Sequence, residues 1–484
     1  MADQTLKDKT TVSLFWSFIE KSGQQVVNLI SGIILMRILD PSEYGLIGAL
    51  TIFIAFSNIL IDSGFIRALL NRKSISDAEY STVFFFNLLL SVILYLLLYI
   101  SAPFIADIFH EPRIEPISKV LFLSLIFSGF SMIQHTLLMK RGDFKGLSKV
   151  NISALIIAAI VAIYMSLNGY GVWALVMQSV TYSFTRSAFL WIYSKWVPMM
   201  SFNIKLLKSF IELSSKLLLT SIINAIFNNI YPSLIAYLYP HSMNQVGYYS
   251  QANKYQNIPF SILSDSFRSV SLLVLTEINN QSARIRRVLS KIMKSLAFLS
   301  FPIGMWLIIV AEALFVFLFK DKWLPAVPYF QILCIAGIVS PFTYILNELF
   351  ISRNRADYYL GVEIARKIIL VALIGLLLNK GVTGLAISWV LYTYITLIIS
   401  LILSNKVIKY SVSSFLKDIY PYFIIATIST TFAYFATMNI DNKLIFIVLS
   451  GIIVVLIYYL LCRIFSLEMI KEMRHLINKK RTKI

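Results

Sequence analysis

The first hydrophobic segment of the chain, residues 12 to 39, carries side chains that could do chemistry inside a membrane. It is long enough to cross a bilayer, yet polar side chains recur along it at helical spacing. They are Ser17, Glu20, Lys21, Gln24, Asn28 and Ser31. Because lipid cannot satisfy a polar stripe that includes two charges, we expect this face to line a bundle interior or a water-filled cavity. Hydrogen bonding between helices is the simpler alternative, and it explains most lone polar residues in spans.

Three later apolar segments carry similar side chains. The eighth segment has a stripe at intervals of three and four, which consists of Lys254, Asn257, Ser261, Asp265 and Arg268. The seventh and eleventh segments add Asn224, Asn228, Glu363, Arg366 and Lys367. With the rise of a helix, Lys21, Lys254 and Arg366 fall roughly 12 to 15 Å in from the nearer end of their spans. The deep charges are therefore biased towards cations.

A charge at this depth is costly unless it is paired or hydrated, which favours a wet, cationic central cavity that holds an anionic group such as a diphosphate. The predicted substrate-binding residues are Lys21, Gln24, Asn28, Asn224, Asn228, Lys254, Asn257, Arg366 and Lys367. Internal pairing is the competing interpretation. Glu20 or Glu363 could neutralise Lys21 or Arg366, and a paired network needs no substrate.

A second set of charged residues suits ion coupling or gating. These residues are Glu20, Asp62, Asp265, Arg268 and Glu363. Asp62 and Asp265 fall near the cytoplasmic boundary, so we expect them to form salt bridges at the mouth of the cavity rather than to carry protons. Glu363 lies deeper and is the better candidate for coupling to a proton or sodium gradient.

Enzyme and metal signatures are scarce. The four histidines are scattered, and the sequence shows no paired-cysteine metal spacing, no phosphate-binding loop and no nucleophile elbow. Both cysteines, Cys334 and Cys462, lie inside apolar segments without a nearby partner in sequence. We therefore expect no catalytic residues, no metal and no cofactor.

Composition places the chain in a membrane. Of its 484 residues, 58% are hydrophobic and 14% are charged, whereas the apolar fraction of a soluble globule is about ten percentage points lower. The excess of 43 Lys and Arg over 24 Asp and Glu could suggest nucleic acid. The basic residues lie in short connectors between apolar runs, however, where membrane orientation explains them better.

Hydropathy predicts an all-α polytopic protein with about fourteen transmembrane helices. When alternate connectors are assigned to opposite sides, about 30 Lys and Arg fall on the side of the termini and about 7 on the other. Both termini are therefore predicted to be cytoplasmic. Residues 203 to 212 and the tail also have amphipathic patterns that are typical of helices on the membrane surface.

An internal repeat organises the chain. The letters ILIDS at residues 59 to 63 recur as ILSDS at 262 to 266, and RGDF at 141 to 144 recurs as RADY at 355 to 358. Such pairs lie about 200 to 214 residues and six spans apart, which indicates two parallel six-helix lobes with a substrate site between them. The predicted domains are lobes at 1–196 and 213–404, an interfacial linker helix at 197–212, two extra C-terminal helices at 405–465 and a basic tail at 466–484.

Four motifs resemble those of a known family. They are LMRILDPSEYG at residues 35 to 45, DSGF at 62 to 65, APFIA at 102 to 106 and GYGVWAL at 169 to 175. The chain resembles the polysaccharide and O-antigen flippases of the multidrug/oligosaccharidyl-lipid/polysaccharide (MOP) superfamily. Its nearest branch is the lipopolysaccharide and exopolysaccharide exporters related to the colanic acid transporter.

The resemblance implies a function. It implies a flippase of the bacterial inner membrane that moves undecaprenyl-diphosphate-linked oligosaccharide to the outer leaflet by ion-coupled alternating access, with membrane lipid and glycan polymerase or export machinery as partners. Small-molecule drug antiport within the same superfamily is the alternative, and its cationic substrates would favour deep unpaired acids. A membrane-embedded glycan polymerase or ligase is a third interpretation, but it predicts a large outer loop with charged catalytic residues.

Overall fold

The computed structural model describes residues 2–62, 65–72, 75–277, 282–352 and 356–471, and the elements in these ranges are helices. The helices up to residue 238 are α1 (Ala2–Ile38), α2 (Pro41–Asp62), α3 (Phe65–Asn71), α4 (Asp77–Ile108), α5 (Ile114–Leu121), α6 (Leu123–Arg141), α7 (Phe144–Leu167), α8 (Val172–Ser194) and α9 (Ile204–Leu238). The later helices are α10 (Met243–Glu277), α11 (Ser282–Phe319), α12 (Val327–Ser352), α13 (Ala356–Leu377), α14 (Gly381–Ile408), α15 (Val412–Thr437) and α16 (Lys443–Ile464), with 3₁₀ turns at Asp321–Ala326 and Leu378–Lys380. The prediction of an all-α fold is confirmed.

Several helices begin and end at residues that supply the missing backbone hydrogen bonds. Ser76 and Glu79 form a reciprocal capping box at the start of α4. The Asp143 carboxylate accepts from the amide of Gly146 at the start of α7, and Gly142 ends α6 in the left-handed conformation. The sequence therefore marks these helix boundaries locally.

Nine helical segments within the described ranges are long and apolar enough to cross a membrane. They are Pro41–Asp62, Asp77–Ile108, Ile114–Arg141, Phe144–Leu167, Ser282–Phe319, Asp321–Phe350, Gly361–Ile408, Val412–Thr437 and Lys443–Ile464. Large apolar side chains such as Ile100, Leu376 and Ile464 are exposed on these helices or at their ends, as expected of a surface that contacts lipid. The chain is a multi-pass membrane protein, and the count of fourteen spans stays a prediction.

The chain divides into two compact units, Met1–Ser250 and Gln251–Ile484, and the division falls within α10. A core of the first unit gathers aromatic and aliphatic side chains that include Phe65, Phe84 and Trp196. In the second unit a larger core includes Phe260 and Phe342. Van der Waals packing of these side chains stabilises each unit.

Two glycines allow α2 and the start of α10 to cross at very short distance within the first unit. A Cβ atom on Gly45 would overlap the backbone carbonyl of Met243, and one on Gly247 would overlap the carbonyl of Pro41. The contact is therefore reciprocal. Gly45 and Gly247 lie near the starts of the second and eighth predicted spans, which are corresponding places in the repeat. Only residues without a side chain let two backbones approach this closely.

Of the two segments predicted to lie on the membrane surface, the structure describes the backbone of the whole linker but only the first residues of the tail. Within the predicted linker at 197–212, helix α9 begins at Ile204 and continues without a break to Leu238. Its N-cap is Asn203, whose side-chain oxygen accepts from the amides of Lys205 and Leu206. The predicted basic tail spans residues 466–484, and its residues after 471 lie outside the described part of the chain.

Candidate functional site: two polar networks inside the helices

A polar network joins α1, α7 and α8 in the first unit. The Asn151 side chain donates to Glu20 Oε1 at 2.6 Å and accepts from Arg186 Nε at 2.8 Å. Gln24 Nε2 also donates to Glu20 Oε1, at 3.3 Å. We call these four residues the first polar network. The buried amide of Asn151 thus links a carboxylate and a guanidinium that lie on different helices.

The packing of α7 explains this geometry. Helix α7 packs against both α1 and α8, and Ser148 donates to the backbone oxygen of Trp16 at 2.8 Å. A Cβ atom on Gly23 would lie 2.8 Å from Ile152 Cδ1, so the glycine lets α1 lie close to α7 next to Glu20. Small residues at the interface between membrane helices allow this kind of close approach.

A second polar network lies within the second unit, on α12 and α13. Arg366 is buried and its Nη1 lies 2.5 Å from Glu363 Oε1, while its Nη2 donates to Asn347 Oδ1 at 3.3 Å. Lys367 Nζ lies 3.8 Å from the other oxygen of Glu363. One carboxylate therefore serves two cations, which is the internal pairing that the competing interpretation of the sequence required of Arg366.

The guanidinium of Arg366 is only partly satisfied. Its Nε atom is buried and has no hydrogen-bond acceptor among the residues that the structure describes. A buried charged donor without an acceptor is costly. An anion beside Arg366 would supply the missing acceptor.

Arg268 and Glu348 form an ion pair between α10 and α12. Glu348 is buried, whereas Arg268 is exposed. Glu348 directly follows Asn347 in the second polar network, so adjacent residues of α12 contact α10 and α13 respectively. Asp265, predicted to gate together with Arg268, is exposed on α10.

Lys254 and Asn257 lie on an exposed part of α10 in the second unit. The Lys254 ammonium lies 5.8 Å from the centre of the Tyr255 ring, and it has no carboxylate partner within the described part of the chain. The Asn257 amide donates to Asn253 Oδ1 at 3.1 Å. Both side chains are therefore accessible on the helix surface.

The remaining predicted site residues lie in the first unit. Lys21 is exposed on α1 and Asn28 is half-buried there. On α9, Asn224 is half-buried and Asn228 is exposed. Asp62 is half-buried at the end of α2. Their roles stay predictions.

The predicted site residues do not include Arg186 of the first polar network, nor the two asparagines Asn151 and Asn347. Each asparagine is a single amide within an apolar segment, and such residues are usually interpreted as contacts between helices. Their presence in spans was the available signal. Which charged side chains they contact depends on the neighbouring helices.

An apolar groove also lies in the second unit. It has a volume of about 430 Å³, and residues of α11, α12, α14 and α15 line it, among them Phe301, Phe342, Leu397, Phe415 and Phe423. No charged side chain lines this groove among the described residues. A chain of methylene or prenyl groups is the kind of ligand that such walls accommodate.

Solved structures with this fold are transporters. The chain matches the lipid II flippase MurJ in an inward closed conformation with a TM-score of 0.76, at 15% identity over 94% of this chain and all of that one. It matches a multidrug resistance MATE family transporter of the MOP superfamily, in an inward-facing conformation, with a TM-score of 0.62, at 15% identity over 81% of this chain and 96% of that one. At this identity the matches establish the fold alone.

Relatives by sequence have names from polysaccharide biosynthesis. Teichuronic acid biosynthesis protein TuaB of Bacillus subtilis is 24% identical over 88% of this chain and 89% of its own length. Lipopolysaccharide biosynthesis protein WzxC of Escherichia coli is 22% identical over 73% of this chain and 72% of its own. Succinoglycan biosynthesis transport protein ExoT of Rhizobium meliloti is 23% identical over 70% of this chain and 68% of its own.

The fold is therefore that of multi-pass membrane transporters, and the relatives carry names from polysaccharide biosynthesis and transport. The model of the family described as polysaccharide biosynthesis protein matches residues 34–328. That range is more than half of the chain, and the chain belongs to this family. The predicted membership of a polysaccharide family is therefore confirmed, and the fold is the predicted one.

Proposed function

We propose that the chain is a flippase that translocates undecaprenyl-diphosphate-linked polysaccharide repeat units across the bacterial inner membrane. Membership of the polysaccharide biosynthesis family and the MOP fold support this proposal. Both termini lie on the cytoplasmic side in the proposed orientation, which rests on the distribution of Lys and Arg among the connectors.

The buried Nε donor of Arg366 is the observation that carries the choice of an anionic substrate. A diphosphate oxygen would accept from this atom, and the planar guanidinium suits phosphate geometry. Lys254, which is exposed and lacks a carboxylate partner among the described residues, adds a second cation in the same unit. Lys367 is the third proposed contact. A carrier for cationic drugs would instead need accessible carboxylates.

Glu363 is the proposed coupling residue. Its carboxylate already occupies donors of Arg366 and Lys367, so it competes with a diphosphate for the same cations. Protonation of Glu363, or binding of a sodium ion to it, would weaken these ion pairs and free the donors. Ion binding and substrate binding would then be linked through one carboxylate.

The other predicted residues take supporting roles in the proposal. Lys21 contributes positive charge, and Gln24, Asn28, Asn224, Asn228 and Asn257 contact proximal sugars through their amides. Glu20, Asp62, Asp265 and Arg268 act in coupling or gating. The apolar groove of the second unit suits the polyprenyl tail, because its walls offer only apolar surface and tyrosine rings. No metal or organic cofactor is part of the proposal.

A leaflet-resolved assay tests this function. Purified protein is reconstituted in liposomes with a fluorescent undecaprenyl-diphosphate-linked oligosaccharide, and a membrane-impermeant reagent measures the fraction in each leaflet. Lys254→Gln and Arg366→Gln should each slow transport at least tenfold, since each removes a charged phosphate contact. Lys443→Gln, at an exposed position at the start of α16, is the matched control and should keep the wild-type rate.

Two outcomes would contradict the proposal. One is transport of an organic cation by the wild type without movement of the lipid-linked sugar. The other is a wild-type rate in both Lys254→Gln and Arg366→Gln. For coupling, Glu363→Gln should lose its dependence on an imposed proton or sodium gradient and still bind the substrate. A gradient response equal to that of the wild type would remove Glu363 from this role.

A further inference from the structure

A basic pocket of about 380 Å³ lies in the second unit, away from the residues of the second polar network. Five cations line it, which are Arg286, Arg287, Lys291, Lys294 and Lys417, together with two carboxylates, those of Asp418 and Glu468. The pocket therefore carries a surplus of positive charge. Its volume is in the range of sites for small ligands.

Hydrogen bonds and ion pairs connect four of the residues that line this pocket. Lys294 Nζ lies 2.6 Å from Glu468 Oε2 and 3.5 Å from Asp418 Oδ1. The buried Tyr410 hydroxyl donates to Asp418 Oδ2 at 2.8 Å. Burial, together with the negative charge of Asp418, raises the pKa of the Tyr410 hydroxyl, so Tyr410 stays protonated as a donor. Lys294 is thus paired with both carboxylates, and the other four cations of the pocket are exposed.

Three membrane helices end around the pocket. Its cations lie in the first four turns of α11 and the first two turns of α15, and Glu468 lies four residues beyond the end of α16. These are the ends of predicted spans on the side that carries the excess of Lys and Arg, which is where lipid phosphates lie. Ile464 and Phe465, just before Glu468, are exposed apolar side chains. An amphipathic anion would contact both the cations of the pocket and this apolar surface.

We propose that the basic pocket binds the phosphate headgroup of an anionic glycerophospholipid of the cytoplasmic leaflet. The exposed guanidinium groups of Arg286 and Arg287 on α11 and the ammonium group of Lys417 on α15 hold the phosphate oxygens. Its acyl chains lie along the apolar surface beside Ile464. The lipid thereby links α15 to α11 at the membrane surface, within the second unit, where α11 packs against both helices that lie outside the predicted repeat.

Native mass spectrometry of the full-length protein in detergent tests this site. Phosphatidylglycerol, phosphatidylcholine and glycerol phosphate are titrated separately, and a dissociation constant is obtained for each. Phosphatidylglycerol should bind most tightly. The triple variant Arg286→Gln, Arg287→Gln, Lys417→Gln leaves the Lys294 ion pairs in place and should weaken phosphatidylglycerol binding on the order of a hundredfold, because each cation near lipid phosphate contributes about a factor of five.

The matched control is a triple variant of exposed lysines in the first unit, namely Lys195→Gln, Lys205→Gln and Lys208→Gln. It removes the same charge from the same predicted side of the membrane and should keep wild-type affinity. If the first triple variant does not fold, Lys417→Gln alone should weaken binding about fivefold.

Three results would overturn the proposal. The first is equal affinity of the basic-pocket variant and the wild type for phosphatidylglycerol. The second is a loss of phosphatidylglycerol affinity in the control variant that equals the loss in the basic-pocket variant. The third is binding of glycerol phosphate as tight as that of the lipid, which would indicate a site for a soluble anion. Because the readout is lipid binding, it is independent of whether the protein transports a lipid-linked sugar.

Discussion

The crossing of α2 and α10 at Gly45 and Gly247 gives a quantitative prediction about stability. In Gly247→Ala the new methyl group would overlap the carbonyl oxygen of Pro41, and in Gly45→Ala it would overlap that of Met243. Both obstacles are backbone atoms, which cannot rotate away. Excess volume in a packed interior costs about 1 to 3 kcal/mol, so each variant should lose about 3 kcal/mol of unfolding free energy.

The double variant tests whether the two clashes are independent or belong to one helix crossing. One small separation of the two helices would relieve both contacts, because they lie on the same crossing. We therefore expect the loss in Gly45→Ala, Gly247→Ala to be smaller than the sum of the single losses by about 1 to 3 kcal/mol. Denaturant titration of the purified protein in detergent measures all three variants against the wild type.

Two other glycines are matched controls in the same assay. Gly361 and Gly375 lie within α13, and a Cβ atom on either would meet nothing within 4 Å. Alanine there should stabilise the protein by up to about 1 kcal/mol, since it lowers the entropy lost when the helix forms. Equal effects of alanine at Gly45, Gly247 and Gly361 would refute the close crossing.

Two further predictions concern polar contacts. Asn151→Leu removes the buried amide that bridges the two charged side chains of the first polar network. It should lower the unfolding free energy by about 2 kcal/mol, because two half-buried charged groups lose a partner. Asn168→Leu, at an exposed position after the same helix, should cost less than about 1 kcal/mol, and similar losses at both positions would argue against the network. Glu111 is held by Arg113 through hydrogen bonds of 2.8 Å, and the Arg113 hydrogen bond lowers the pKa of Glu111 below its ordinary value of 4.5. The stabilisation is therefore present above pH 4.5 and lost as the pH falls through the lowered pKa, so the stability difference between wild type and Glu111→Gln should be constant near neutral pH and vanish in acid; a difference that persists in acid would contradict the assignment.

Apolar periodicity and local signals were sufficient for the class of protein. The high apolar content, the spanning segments and the motifs at residues 35 to 45 and 169 to 175 predicted an all-α membrane protein of a polysaccharide family with the MOP fold, and the structure and the family model confirm this fold and family. Helix ends were also encoded locally, as at Ser76 and Gly142. These features depend on residues close together in the chain, so the sequence by itself determines them.

The partners of the charged side chains were decided by tertiary structure alone. Glu20 on α1 accepts from Asn151 on α7, and Arg268 pairs with Glu348 on α12 rather than with a residue of its own helix. Periodicity shows that a helix has a polar face, but it does not specify which helix packs against that face. Ion pairs act over a few ångströms, and those distances are fixed only when the helices pack.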